Sequence, residues 1–265
     1  MFIKINGLDQ WVSIHGDNRS NPVLMVVNGA GLALSRMAAF FEPWESAFRL
    51  LHWDQPGAGA TWECGWRMAD GGLGGLETIT FDRLAADGVA VADAMRTQLG
   101  VPRIVLLATS GGSIVGLKMI KLRPDLFSAY VGTGQIVRGA DVTESKEGLV
   151  LTPAEQAALA AMPRTGGDQR PQVTTLYEQM RGAMAAFDAR ALGLDYAVPM
   201  YFIQGDCDRY TPTERVAAFE RAIIAPAKRL VIVEGGGHAV VFMREQFLAA
   251  LKGCAPVLAT GFGEM

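Results

Sequence analysis

Three side chains of this 265-residue chain have the types and the order that acyl-transfer chemistry requires. Ser110 lies in RIVLLATSGGSIVG, residues Arg103 to Gly116, where a β-rich run enters Ala108-Thr109-Ser110-Gly111-Gly112. An apolar-periodic helix follows through Ile114, Val115, Leu117, Met119 and Ile120. A sharp strand-to-helix turn lifts the serine oxygen clear of the backbone, and the helix amides beyond it face any negative charge that develops. Ala108 and Gly112, two positions before and after, are small enough for strand and helix nearly to touch. A second β-rich run, Met200 to Gln204, ends in Gly205-Asp206-Cys207-Asp208. A third, Arg229 to Val233, ends in Glu234-Gly235-Gly236-Gly237-His238. A serine activated by a histidine that an aspartate orients can attack an ester or amide carbonyl. The chain holds only His15, His52 and His238, and the first two have the setting of ordinary hairpin and strand histidines. His238, behind three glycines at a strand end, is the candidate base. On spacing alone, the acid is open between Asp206 and Asp208.

These positions need strand ends to hold them. Strand-like runs occur at Phe2–Ile5, Gln10–His15, Val23–Asn28, Phe48–Trp53, Arg103–Thr109, Ala129–Gly132, Met200–Gln204 and Arg229–Val233. Helical patterns occur at Ser35–Phe48, Phe81–Leu99, Gly112–Leu122, Thr213–Ile224 and Val241–Leu251. Strands separated by single helices predict an α/β fold with a mostly parallel eight-stranded sheet covered on both faces. The N-terminus, alternating apolar and polar around Asn6-Gly7, predicts an antiparallel hairpin. The rhythm breaks over residues 135–197, with helical patterns at Pro153–Met162 and Gln172–Leu192. The expectation is a core domain, 1–134 and 198–265, with a helical cap, 135–197, inserted between strands six and seven.

The loop after the third strand, Asn28-Gly29-Ala30-Gly31-Leu32, has the small residues that let a backbone N–H approach a substrate oxygen. Gly29 or Ala30 there, and Gly111 directly after the serine, are the expected oxyanion donors. Asn28 and three cap residues, Met162, Tyr177 and Met184, are candidates for lining the substrate pocket. Glu144, Glu147, Glu155 and Glu178 are candidates for holding a substrate amino group.

Composition narrows the field. A net charge of −3 with scattered Arg and Lys offers no basic face for nucleic acid or an anionic membrane. No run of about twenty apolar residues suggests a spanning helix. Cys64, Cys207 and Cys254 form no Cys-x-x-Cys pair, so neither a disulfide framework nor a metal site is expected. The first βα turn lacks G-x-G-x-x-G, which argues against a dinucleotide. The expectation is a cytoplasmic protein acting on a small molecule, with no cofactor; one sequence sets no oligomeric state.

Taken together, these segments resemble the α/β-hydrolase superfamily, and within it the proline iminopeptidase-like group. Trp53–Thr61 is similar to that group's Trp-Asp-Gln-Arg-Gly-x-Gly-x-Ser/Thr, with Pro56 in the arginine's place. Ser110-Gly111-Gly112-Ser113, Ala129–Gln135, Gly205-x-x-Asp208 and Gly237-His238 complete the likeness. The group's His-Gly-Gly-Pro-Gly loop is Asn28-Gly29-Ala30-Gly31-Leu32 in this chain. The resemblance implies a serine hydrolase, esterase or aminopeptidase, with Ser110 as nucleophile, His238 as base and Asp208, three residues past the glycine, as acid. The alternatives are a binding protein on a degenerate fold, or an acyltransferase or C–C hydrolase using the same three residues.

Overall fold

A computed structural model describes residues 1–29, 32–65, 79–142, 149–161 and 170–254. Eight strands, β1 (Phe2–Ile5), β2 (Leu8–His15), β3 (Val23–Val27), β4 (Arg49–Asp54), β5 (Ile104–Thr109), β6 (Phe127–Thr133), β7 (Met200–Gly205) and β8 (Lys228–Val233), form one sheet. Their order is β1-β2-β4-β3-β5-β6-β7-β8. β2 runs antiparallel to both its neighbours, β1 and β4. The pairs from β4 through β8 are parallel, which requires crossover connections and helices on both faces. The hairpin turns at Asn6 and Gly7, both with positive φ (48° and 87°), as a two-residue primed turn demands.

Alternation along the central strands builds two cores. Val23, Met25 and Val27 of β3 join one apolar cluster, while Leu24 and Val26 join the other. β5 divides in the same way, with Ile104, Leu106 and Ala108 against Val105 and Leu107. β7 does so with Met200 and Phe202 against Tyr201 and Ile203. The first cluster is closed by α2 (Phe81–Leu99), α3 (Gly111–Leu122) and α6 (Thr213–Ala222). The second is closed by α7 (Arg244–Gly253) and by 3-10 turns over Leu34–Ser46.

Several elements differ from expectation. The segment expected as a helix at Ser35–Phe48 is instead 3-10 over Leu34–Ser46, and Pro43 inside it cannot donate the bond that an α-helix needs. The last helix starts later, at Arg244, after a separate 3-10 turn at Val240–Phe242. The stretch after β4 contains a short helix, α1 (Gly59–Gly65), which its glycines hide. Between β6 and β7 lie α4 (Pro153–Ala160) and α5 (Arg170–Ala185). The helical pattern expected to run to Leu192 stops at Ala185. Beyond it Asp188 bridges Arg138, and Gly139 and Ala189 donate to Phe187 and Val137. Among the described residues no helix is long and apolar enough to cross a membrane. Nor does any group of three His, Cys, Asp or Glu among them stand ready to hold a metal ion.

Candidate active site

Ser110 sits between β5 and α3 with φ 54° and ψ −130°, a conformation that side-chain-bearing residues rarely adopt. Such strain costs about 1–3 kcal/mol and persists only where the surroundings enforce it. Here they do. The Ser110 N–H donates to Thr133 O at 3.0 Å, and its carbonyl accepts from Ser113 N at 2.8 Å. A Cβ on Gly112 would run into Val27 O and Asn28, so the start of α3 lies against the end of β3.

His238 arrives from the turn after β8. Its Nε2 stands 2.8 Å from Ser110 Oγ, and its Nδ1 stands 3.1 Å from Asp208 Oδ2. Two glycines make the approach possible. A Cβ on Gly205 would collide with the Gly236 backbone, and one on Gly134 would lie 2.8 Å from His238 Cε1. Asp208 is held from several sides. Its Oδ1 accepts from the Tyr210 and Thr211 amides, each at 2.9 Å, and its Oδ2 also accepts from Thr211 Oγ1 at 2.6 Å. Burial pushes the carboxyl up, but the hydrogen bond and charge of His238, together with Thr211, more than offset this and hold it below the usual range. Asp208 is therefore a carboxylate at neutral pH, as the orienter of an imidazole must be. Asp206, the other candidate acid, is exposed. Among the three histidines, His238 alone stands against the serine, with Asp208 on its far side.

The loop after β3 meets the serine turn edge to edge. A Cβ on Gly29 would lie 2.8 Å from Gly111 N and 3.3 Å from Ser110 Cβ, so these two backbones face one small volume. Gly111 opens α3, whose first amides have no intrahelical acceptor. Ala30 lies outside the described residues. Asn28 donates through its side chain to Leu32 O at 3.4 Å across the loop. Its carbonyl accepts from the buried Gln55 amide at 2.8 Å. Next to Gln55, Asp54 accepts from Ser35 Oγ at 2.6 Å and from Ala60 N at 2.9 Å. Burial raises its carboxyl pKa against those bonds. The Trp53–Thr61 stretch is thus a brace behind the loop that faces Ser110.

Of the expected pocket residues, Met162 lies outside the described residues. Met184 packs with Leu176 and Met180 in the larger apolar cluster. The Tyr177 hydroxyl is 2.8 Å from that of Tyr210, and the Tyr210 ring lies 4.7 Å from the His238 ring. Of the four glutamates, Glu144 and Glu147 are outside the described residues and Glu178 is exposed. Glu155 is fully buried, and its carboxylate accepts from Gly237 N and Thr152 N at 2.8 and 2.9 Å, which corrects its assignment as a free amine-binding group. Tyr210 and Thr211, which hold Asp208 within its own turn, and Gln55, which holds the carbonyl of Asn28, go unmarked in the sequence, because no spacing announces such bonds.

No family model matches the chain. Among curated proteins it is 24% identical over 291 aligned residues to the Bacillus subtilis (strain 168) protein named "Probable aminopeptidase YbaC", covering 89% of each chain. Among solved structures it superposes on the enol-lactonase from Burkholderia xenovorans LB400 with TM-score 0.71 at 18% identity, covering 97% of this chain and 99% of that one. It superposes on the proline iminopeptidase of Mycobacterium smegmatis with TM-score 0.66 at 14% identity, covering 99% of both. The chain has the α/β-hydrolase fold.

Proposed function

We propose that this chain is a serine hydrolase that cleaves an ester or amide bond of a small molecule through Ser110, His238 and Asp208. The observation that carries the reading is the continuous bond path from Asp208 through His238 to a serine held at φ 54°. Ser110 Oγ would attack the carbonyl carbon while His238 Nε2 takes its proton, and Asp208 would stabilise the imidazolium so formed. The Gly111 amide, with an amide of the Gly29–Ala30 turn, would receive the oxyanion; losing one such donor typically costs about 10²–10³ in turnover. His238 would return the proton to the leaving group, and water activated by the same nitrogen would release the acyl group.

Residues 135–197 would act as a cap. Supporting this, Glu155 of α4 reaches the amide before His238, and Tyr177 of α5 reaches the tyrosine beside its ring. Among the described residues of the cap, Glu155 is committed to backbone amides and Glu178 is exposed, which supports an ester over a peptide amine terminus. The name of the Bacillus relative keeps aminopeptidase activity in the panel.

The test is labelling by a fluorophosphonate, wild type beside Ser110→Ala, followed by paired aryl esters and prolyl arylamides. The expected result is labelling that Ser110→Ala abolishes, with stability changed by less than about 1 kcal/mol. A folded wild type that does not label would instead favour a binding protein on a hydrolase fold.

A further inference from the structure

The turn that delivers His238 is its least determined backbone. Gly235, Gly236 and Gly237 have no side chains to anchor, and glycine loses more freedom on ordering than any other residue. Yet His238 has to meet Ser110 and Asp208 together. Two of the bonds that hold this turn come from the core: Gly236 N donates to Val233 O at 3.2 Å, and Gly236 O accepts from Cys207 N at 2.8 Å. Gly237, the residue next to His238, is held from outside the core, by Glu155 Oε1 at 2.8 Å.

Glu155 is the third residue of α4 and half of a capping box with Thr152: its Oε2 accepts from Thr152 N, and its N–H donates to Thr152 Oγ1 at 3.2 Å. A cap needs only one carboxylate oxygen and normally stands in water. This carboxylate is 0% exposed, and its second oxygen leaves its own helix for a loop 82 residues away. Among the described residues no cation stands against it. The far side is shaped to receive it, since a Cβ on Gly237 would lie 2.7 Å from Glu155 Oε2 and 3.1 Å from Thr152 Cγ2.

We infer that Glu155 is a positioning residue for the general base: by holding the Gly237 amide it sets His238 against Ser110, so that seating of α4 and competence of the site are one event. The inference rests on the serine-hydrolase reading. It reaches the chemistry through His238 and needs no contact with substrate.

The test compares wild type, Glu155→Ala, Glu155→Gln and Thr152→Ala by hydrolysis of a p-nitrophenyl ester, fluorophosphonate labelling rate, thermal unfolding, and the low-field proton NMR signal of the His238 Nδ1–H bonded to Asp208. Misplacing a reacting group by about 1 Å costs on the order of 10²-fold, so Glu155→Ala is expected to lose about that much kcat with KM within about threefold, and to lose or shift the low-field signal. Glu155→Gln keeps one acceptor oxygen for Gly237 and should recover about tenfold of the loss. Thr152→Ala removes the other half of the helix cap but leaves the bond to Gly237. It should lower the melting temperature while kcat stays within about threefold. Equal kcat in Glu155→Ala and Thr152→Ala, with the low-field signal unmoved in both, would overturn the inference. If Glu155→Ala does not fold, Glu155→Leu, which fills much of the same volume but offers the Gly237 amide no acceptor, decides: wild-type kcat and signal there would overturn it equally. A wild type that shows the low-field signal but does not label would sink the hydrolase reading and leave the positioning role to stand or fall on the NMR comparison.

Discussion

Two buried aspartates, one in α2 and one after β7, are alike by the usual measures. Asp87 is 0% exposed and accepts from Asn6 Nδ2 at 2.6 Å, Gln10 Nε2 at 3.0 Å and Arg83 Nε at 3.1 Å. Asp208 is 5% exposed and accepts from two amides, a hydroxyl and an imidazole. Both are saturated with donors and each joins separate elements. They differ in what stands beyond the carboxylate. The cation at Asp87 is a guanidinium that never gives up its proton, and the network continues only through Gln10 Oε1 to the Trp53 indole. It fastens the β1–β2 hairpin to α2. The partner at Asp208 is an imidazole with a second ring nitrogen turned the other way, and the path ends on a strained serine. Burial and satisfied bonds therefore mark a structural carboxylate and one in the proposed catalytic path equally. The imidazole partner and the strained terminus separate them.

Exchanging an amide for each carboxylate tests this most strongly. Asp208→Asn should lower kcat/KM by about 10⁴, the usual consequence of leaving a catalytic imidazole in the wrong tautomer, while the protein stays folded. Asp206→Asn, at an exposed position, should fall within about 0.5 kcal/mol in stability and leave activity intact. Asp87→Asn should do the reverse of Asp208→Asn. It breaks a buried charge-assisted network, so about 2–5 kcal/mol of stability should be lost, with kcat per folded molecule unchanged. Paired ester kinetics and urea unfolding check all three. Large kcat loss at Asp87, or at Asp206 in place of Asp208, would break the contrast.

The same contrast explains what the sequence discloses and what it conceals. The central strands are legible because the sheet is covered on both faces there, so runs such as Val23–Val27 are apolar for their whole length, while β1 and β2 show as alternation. Ser110, Asp208 and His238 are legible because each directly follows such a run, and strand ends are where a parallel sheet presents its chemistry. The Thr152-x-x-Glu155 cap is legible too, but the bond to Gly237 is not, since a backbone amide has no residue type to search for. Gln55 escapes for the same reason, bonding to the carbonyl of Asn28. α1 is hidden because Gly59 reads as a turn, whereas it is glycine because a Cβ would strike Asp54 and Ala33. Met184 shows a different limit: apolar residues at helical spacing read alike whether they face a core or a pocket.

The histidines extend the comparison to pH. His238 has a partner on each ring nitrogen, whereas neither nitrogen of His52, 2% exposed, has a hydrogen-bond partner among the described residues. Burial, with a smaller contribution from the charge of His15, lowers the His52 pKa from 6.5 to about 3. The folded state thus keeps His52 neutral while the unfolded chain takes up a proton near 6.5. Stability from this group is complete above that pH and is lost as pH falls toward about 3, with a slope approaching 1.4 kcal/mol per unit, roughly 2 kcal/mol by pH 5. His52 lines a small apolar cavity with Val26, Leu34, Phe41, Trp44, Leu50, Leu107 and Val241, so His52→Leu suits its surroundings. The variant should flatten the acid limb of urea-unfolding stability between pH 7 and pH 5 and leave ester hydrolysis at pH 7 unchanged. Parallel limbs in both proteins would mean that His52 takes up its proton in the folded state.

The smallest expected effect concerns Tyr177, which divides the two sides of the comparison most finely. Its hydroxyl meets that of Tyr210 at 2.8 Å, and Tyr210 in turn donates its amide to Asp208 and lays its ring beside His238. If the pair is structural, in the manner of Asp87, then Tyr177→Phe removes one hydrogen bond between half-buried groups, worth about 0.5–1.5 kcal/mol. In a chain of this size that lowers the melting temperature by about 2–4 °C per kcal/mol. The expected kinetics are kcat and KM each within about twofold of wild type, because Tyr210 keeps its amide bond to Asp208 and its ring contact. A tenfold rise in KM with an unmoved melting temperature would place the hydroxyl on the substrate instead, and would make α5 part of the pocket wall. A fall in kcat alone would give Tyr210 a share in setting His238 beside that of Glu155, and the reactive aspartate would then be distinguished from Asp87 by a second tie running out of the core.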